Sequence, residues 1–126
     1  MYPTDRRYSK EHEWILVEQQ RGTVGITHFA QDQLGDIVYV ELPQKGKAVK
    51  RGEVLGTIES VKAVSEIYSP VSGTVADANA ELDGRPELVN SDPHGEGWYC
   101  RIDLTEPGEV DELMEASAYA EFAQSA

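Results

Sequence analysis

Through its first hundred residues the chain places its apolar residues in short β-branched and aromatic runs, each closed by glycine or proline. Such runs cannot build long helices. They predict a mainly β fold with tight connections. Residues 14–17 read as a strand and 23–26 as its hairpin partner, with 19–22 as the turn. Thr27 is placed to cap a short helix over 28–34, which Gly35 ends. The strongest strand signal spans 36–42, where Pro43 stops it. Gly46, Gly52 and Gly56 punctuate the next segment, in which Lys47, Lys50 and Arg51 read as solvated turn residues. Further strands are expected over 74–79 and 98–104, with one helical turn over 86–89 ended by Asn90. After Pro107-Gly108 the period changes. Val110, Leu113 and Met114 fall at helical spacing, and a second short helix is expected from Ser117, carrying Tyr119 and Phe122 onto the sheet. The expectation is one domain over 1–126, a β-sandwich with short helices and a helical C-terminal segment at about 108–124.

Charge and cysteine content narrow the partners. Eleven Lys and Arg against 23 Asp and Glu give a formal net charge of −12. Phosphate backbones repel such a surface, which argues against nucleic acid and favours partners with basic faces. No apolar run approaches a membrane span. The fold-like pattern begins within a few residues of Met1 and no hydrophobic segment follows Arg6-Arg7, so the protein is expected in the cytoplasm. Cys100 is a lone cysteine, expected to be a buried small hydrophobe.

The stretch with chemical content is Glu59-Ser60-Val61-Lys62-Ala63-Val64, set between two β-like runs and followed by Ser69-Pro70-Val71-Ser72-Gly73. A lysine at the tip of a strand-turn-strand is held out to solvent. Catalysis through a Schiff base needs a lysine depressed by burial or by a neighbouring cation. Glu59 and Glu66 flank Lys62 instead and favour its ammonium form. The residue is better suited to modification by another enzyme than to chemistry of its own. His12-Glu13 lacks the second histidine of a zinc motif, and His12, His28 and His94 are scattered and read as surface residues. A small enzyme built on His12, Glu13 and Cys100 is the distant rival, because these residues lie in unrelated local contexts.

The hairpin resembles that of the biotinyl/lipoyl carrier fold, a barrel-sandwich hybrid, and Glu-Ser-Val-Lys-Ala is similar to one branch of it, the H proteins of the glycine cleavage system. The likeness extends over nearly the whole chain: Tyr8-Ser9-Lys10-Glu11-His12-Glu13-Trp14, Gly25-Ile26-Thr27, Leu34-Gly35-Asp36-Ile37-Val38, Pro86-Glu87-Leu88-Val89-Asn90 and Gly95-Glu96-Gly97-Trp98. Gln33 departs from relatives that carry histidine there.

The resemblance implies a non-catalytic carrier with lipoic acid in amide linkage on Lys62. Glu59, Ser60, Val61 and Ala63 would form the hairpin read by a lipoate ligase or lipoyltransferase. The implied partners are a pyridoxal-phosphate glycine decarboxylase, a tetrahydrofolate-dependent aminomethyltransferase and a dihydrolipoyl dehydrogenase. Glu13, Ile26 and Glu66 map to the cleft that shelters the aminomethyl-loaded arm. A relay of lipoate to other enzymes is the alternative use of the same hairpin.

Overall fold

The structure, a computed structural model, describes residues 2–126. Strand makes up 36% of it against 25% helix, which sets the class as mainly β. In spatial order, β1 (Arg7–Tyr8), β2 (Glu13–Glu18), β3 (Arg21–Ile26), β9 (Cys100–Leu104), β8 (Gly73–Ala78) and β5 (Ala48–Val49) form a six-stranded sheet. β4 (Ile37–Glu41), β6 (Val54–Ser60) and β7 (Val64–Tyr68) form a three-stranded sheet. The short helices are α1 (His28–Leu34), α2 (Glu81–Gly84), α3 (Leu88–Ser91) and α4 (Ala116–Ser125).

Alternation along the strands sends Ile15, Val24 and Ile102 from the large sheet, and Val40, Ile58 and Ile67 from the small one, into a single apolar cluster. β2 buries its other face as well. Trp14, one residue before Ile15, points the opposite way and joins Tyr8, Ala116, Tyr119 and Ala123 in a second cluster under α4. The Trp14 indole N–H donates to the carbonyls of Ile26 (3.1 Å) and Pro93 (2.9 Å), so its one polar atom is satisfied inside. Tyr119 and Phe122 therefore do pack on the sheet, on its outer side.

Two expectations are corrected. The 19–22 turn contracts to Gln19-Gln20, because Glu18 already pairs with Arg21 and Gly22 with Val17. Gln19 takes the positive φ of 60° that this tight link requires. Gly22 is a strand residue lying under Ile15, where a Cβ would stand 2.5 Å from Ile15 Cδ1. Gly56 likewise does not mark a turn. It sits inside β6 beneath the Tyr99 hydroxyl, which donates to the Glu41 carbonyl, and any side chain there would meet both groups.

The C-terminal segment holds two helical pieces, as expected, and the first is a 3₁₀ turn. A 3₁₀ turn at Pro107–Glu112 gives way to extended chain, where Met114 exchanges two backbone hydrogen bonds with Tyr8 (2.8 and 2.9 Å) before α4 begins. Val110 and Leu113 pack on the inner cluster and Met114 on the outer one, so their helical spacing never formed one stripe.

Gly25 faces Trp14 across the β2–β3 pair, and a Cβ at that position would come within 2.6 Å of the indole ring. Gly25→Ala is expected to cost ~1–3 kcal/mol of stability through overpacking. Urea unfolding would show a lower midpoint, and an unchanged midpoint would contradict this packing.

Candidate functional site

β6 and β7 end on the pair Glu59–Val64, and Ser60 to Ala63 form the tip between them. The Ser60 N–H donates to the Ala63 carbonyl (2.8 Å). The Ser60 hydroxyl oxygen accepts from the N–H groups of both Lys62 and Ala63 (3.1 Å each), so one side chain fills the inside of the turn. Lys62 is exposed, and its Nζ enters no hydrogen bond or ion pair among the described residues.

The tip rests on the exit of α1. The Thr27 hydroxyl starts that helix by accepting from the Ala30 N–H (3.2 Å), as the sequence predicts. Gly35 ends it at φ 80°, a conformation that favours glycine. The Lys62 stem lies along Gly35, where a Cβ would stand 3.2 Å from Lys62 Cε. The Val61 N–H donates to the Asp36 carbonyl (3.0 Å). Asn90 pins this corner from below: its Oδ1 accepts from the Ile37 N–H, and its Nδ2 donates to the Gly35 carbonyl and to Gln31 Oε1, each at 2.9 Å. The sequence reading names Asn90 only as the end of a helical turn. Its hydrogen bonds span more than fifty residues of chain, and no local signal announces them.

Glu13 is 2% exposed. Ser9 donates its hydroxyl to Glu13 Oε1 (2.8 Å), and the Tyr68 N–H donates to Oε2 (3.0 Å). Burial pushes this carboxyl up to about 7, against the lowering pull of those two donors. Ile26 is Glu13's register partner and is also buried. Glu66 is exposed on β7 and accepts from the Tyr68 hydroxyl (3.1 Å). Tyr68, which the sequence reading passes over, thus links the two acids, its N–H to Glu13 inside and its phenol to Glu66 outside. Tyr68 lies six residues beyond Lys62, ~20 Å at strand rise, so the lysine amine and this end of β7 stand well apart.

The scattered histidines differ from expectation in their surroundings. His28 is exposed, but His12 packs against Phe29 and Phe122, with its Nδ1 2.7 Å from the Tyr119 hydroxyl. His94 Nε2 accepts from the His28 N–H (3.2 Å), and burial, with Arg6 beside it, lowers His94 to about 4. Cys100 has no exposed surface, and burial pushes its thiol up to about 12. His12 belongs to the outer aromatic packing and Cys100 to the inner core, so with Glu13 they form no common pocket. No group of three His, Cys, Asp or Glu able to hold a metal exists among the described residues.

The family model for the glycine cleavage H-protein matches residues 6–126. The chain belongs to this family. It is 55% identical over 120 residues to a glycine cleavage system H protein of Symbiobacterium thermophilum, covering 95% of this chain and 94% of that one. It is 48% identical over 122 residues to the Bacillus subtilis protein of the same name, covering 97% and 96%. The crystal structure of a glycine cleavage system H protein from Mycobacterium marinum superposes with a TM-score of 0.88 at 38% identity, covering 95% of this chain and 97% of that chain. Members of the H-protein family are non-catalytic and carry lipoate covalently on a lysine. An exposed ε-amine with no partner, on a turn braced from inside and from below, suits that linkage.

The raised carboxyl of Glu13 gives a signed pH effect. Between about 4.5 and about 7 the folded chain holds the Glu13 proton and the unfolded chain does not. This group's contribution is therefore full below about 4.5, falls through the window and is gone above about 7. His94, lowered from 6.5 to about 4, acts in the opposite sense across part of that window. The difference in unfolding free energy between wild type and Glu13→Gln isolates the carboxyl. It should fall by on the order of 2–3 kcal/mol from acid to neutral pH. A difference independent of pH would contradict the assignment.

Proposed function

We propose that the chain acts as one carrier domain across 1–126, in the cytoplasm, with lipoate in amide linkage to Lys62 Nζ. In the glycine cleavage system it moves the aminomethyl group of glycine from a pyridoxal-phosphate glycine decarboxylase to a tetrahydrofolate-dependent aminomethyltransferase. The observation that carries this reading is the free amine of Lys62 on a turn whose shape is set by Ser60 and whose seat is Gly35. No helix among the described residues is long and apolar enough to cross a membrane.

When attached, lipoate supplies the sulfurs that take up and release the aminomethyl group and that a dihydrolipoyl dehydrogenase reoxidises. The chain's own residues hold, shelter and present. Glu59, Ser60, Val61 and Ala63 give a lipoate ligase or lipoyltransferase one fixed turn to recognise. Gly35 leaves room for the lysine stem. Glu13 of β2, with its register partner Ile26 of β3, and Glu66 of β7 are joined through Tyr68, and a loaded arm docks there. A cationic cargo brought near Glu13 favours its ionised form, reversing the effect of burial, and apolar Ile26 excludes water beside it.

Intact mass spectrometry of the chain from cells supplied with lipoate tests this reading. A lipoyl increment is expected on wild type and none on Lys62→Arg, which keeps the charge but cannot form the amide. An increment that survives in Lys62→Arg would overturn the assignment. Glu13→Gln should be lipoylated normally yet lose a loaded aminomethyl group severalfold faster; an unchanged lifetime would remove Glu13 from the sheltering role.

A further inference from the structure

Tyr8 pairs with Trp14 at the last register position of β1 and β2, and one step further Ser9 and Glu13 face each other across the link Lys10-Glu11-His12. Three hydrogen bonds join them. The Ser9 N–H donates to the Glu13 carbonyl (2.8 Å), the Glu13 N–H donates to Ser9 Oγ (3.1 Å), and the Ser9 hydroxyl donates to Glu13 Oε1 (2.8 Å). His12 shapes the turn. Its φ is 69°, its N–H donates to the Ser9 carbonyl (3.1 Å), and its own carbonyl accepts from the Thr27 N–H at the start of α1 (3.0 Å). The Ser9 hydroxyl is therefore aimed at the carboxyl in advance, with no ordering left for the moment when cargo arrives.

Both residues are buried. No ion pair reaches Glu13 among the described residues. Its charge is met by two donors, the Tyr68 N–H and the Ser9 hydroxyl. The first belongs to the backbone. The second exists only because residue 9 carries a hydroxyl. The other titratable groups near Glu13 do not replace it. Glu11, on the same turn, opposes ionisation. Tyr68 on β7, raised by its hydrogen bond to Glu66, and Tyr119 on α4, raised by burial, both stay neutral at physiological pH. Ile26, the register partner on β3, has no charge to offer.

We propose that Ser9 is a positioning residue for the cargo: its hydroxyl holds Glu13 Oε1 and stabilises the ionised carboxylate that a cationic aminomethyl group requires. The proposal rests on the reading of Glu13 as the group that shelters that cargo. With alanine at position 9, Oε1 would be buried without its donor, and the proton would be held more tightly. A hydrogen bond to a charged group is strong enough to move the Glu13 titration up by about one pH unit or more.

The test compares wild type, Ser9→Ala, Ser9→Thr and Glu13→Gln in the full chain, with unfolding midpoints as the check on folding. The first readout needs no cargo. NMR of isotope-labelled glutamate carboxyls identifies the Glu13 resonance as the one missing from Glu13→Gln and follows it against pH. Its midpoint should rise by about one unit or more in Ser9→Ala and stay near the wild-type value in Ser9→Thr, which keeps the donor. An unmoved midpoint in Ser9→Ala would overturn the proposal. The second readout is the lifetime of the aminomethyl group on the lipoylated chain, taken relative to Glu13→Gln at each pH so that intrinsic hydrolysis divides out. In Ser9→Ala it should fall severalfold near neutral pH and recover at more alkaline pH, where Glu13 ionises unaided. A loss that no pH restores marks a merely structural role and would overturn the proposal, as would a Ser9→Thr chain that behaves like Ser9→Ala. A Glu13→Gln lifetime equal to wild type would instead sink the sheltering reading, and the titration tells the two failures apart.

Discussion

The hairpin tip sits on the exit of α1, where a residue at φ 80° without a Cβ lets the Lys62 stem come into contact while the neighbouring Asp36 carbonyl accepts from the Val61 N–H. A displayed lysine on an unsupported two-stranded ribbon would wander with the ribbon's twist. Here the ribbon has a third strand, β4, and β4 is entered directly from the α1 corner that Asn90 holds by its backbone. The Ser60 hydroxyl fixes the turn locally and the Asn90 amide fixes its support. The outcome is an exposed amine on a turn held at several points, which the proposed attachment point needs if several enzymes are to find it.

β2 supplies the other half of the design. Its alternation assigns Ile15 to the inner core and Trp14 to the aromatic layer under α4, and leaves Glu13 at the sheet's end, buried. A carboxyl in that place would be costly without donors. Ser9 and the Tyr68 N–H supply them, and the balance leaves its protonation near neutrality. A group poised there responds strongly to a cation brought beside it.

Much of this was legible in the sequence wherever the signal is local. The α1 cap at Thr27 and stop at Gly35 follow from residue chemistry within one short segment, and the lysine hairpin follows from two β runs around a short polar turn. The two-residue strands β1 and β5 are too short to show a period. The extended link before α4 is made by Met114 pairing with Tyr8, more than a hundred residues away, so no local signal shows it. Gly22 and Gly56 looked like punctuation because the residues that crowd them, Ile15 and Tyr99, come from other strands. The Ser9–Glu13–Tyr68 link and the Asn90 clamp were hidden for the same reason.

On the proposed reading, Lys62 and its support make this chain a carrier of glycine's aminomethyl group. The most direct measurement incubates the purified lipoylated chain with labelled glycine and a pyridoxal-phosphate glycine decarboxylase, then follows label on the chain. Label should appear with carbon dioxide release and be confined to the Lys62 peptide, with none on the unlipoylated chain. A lipoylated chain that accepts no label, or label found away from Lys62, would contradict it.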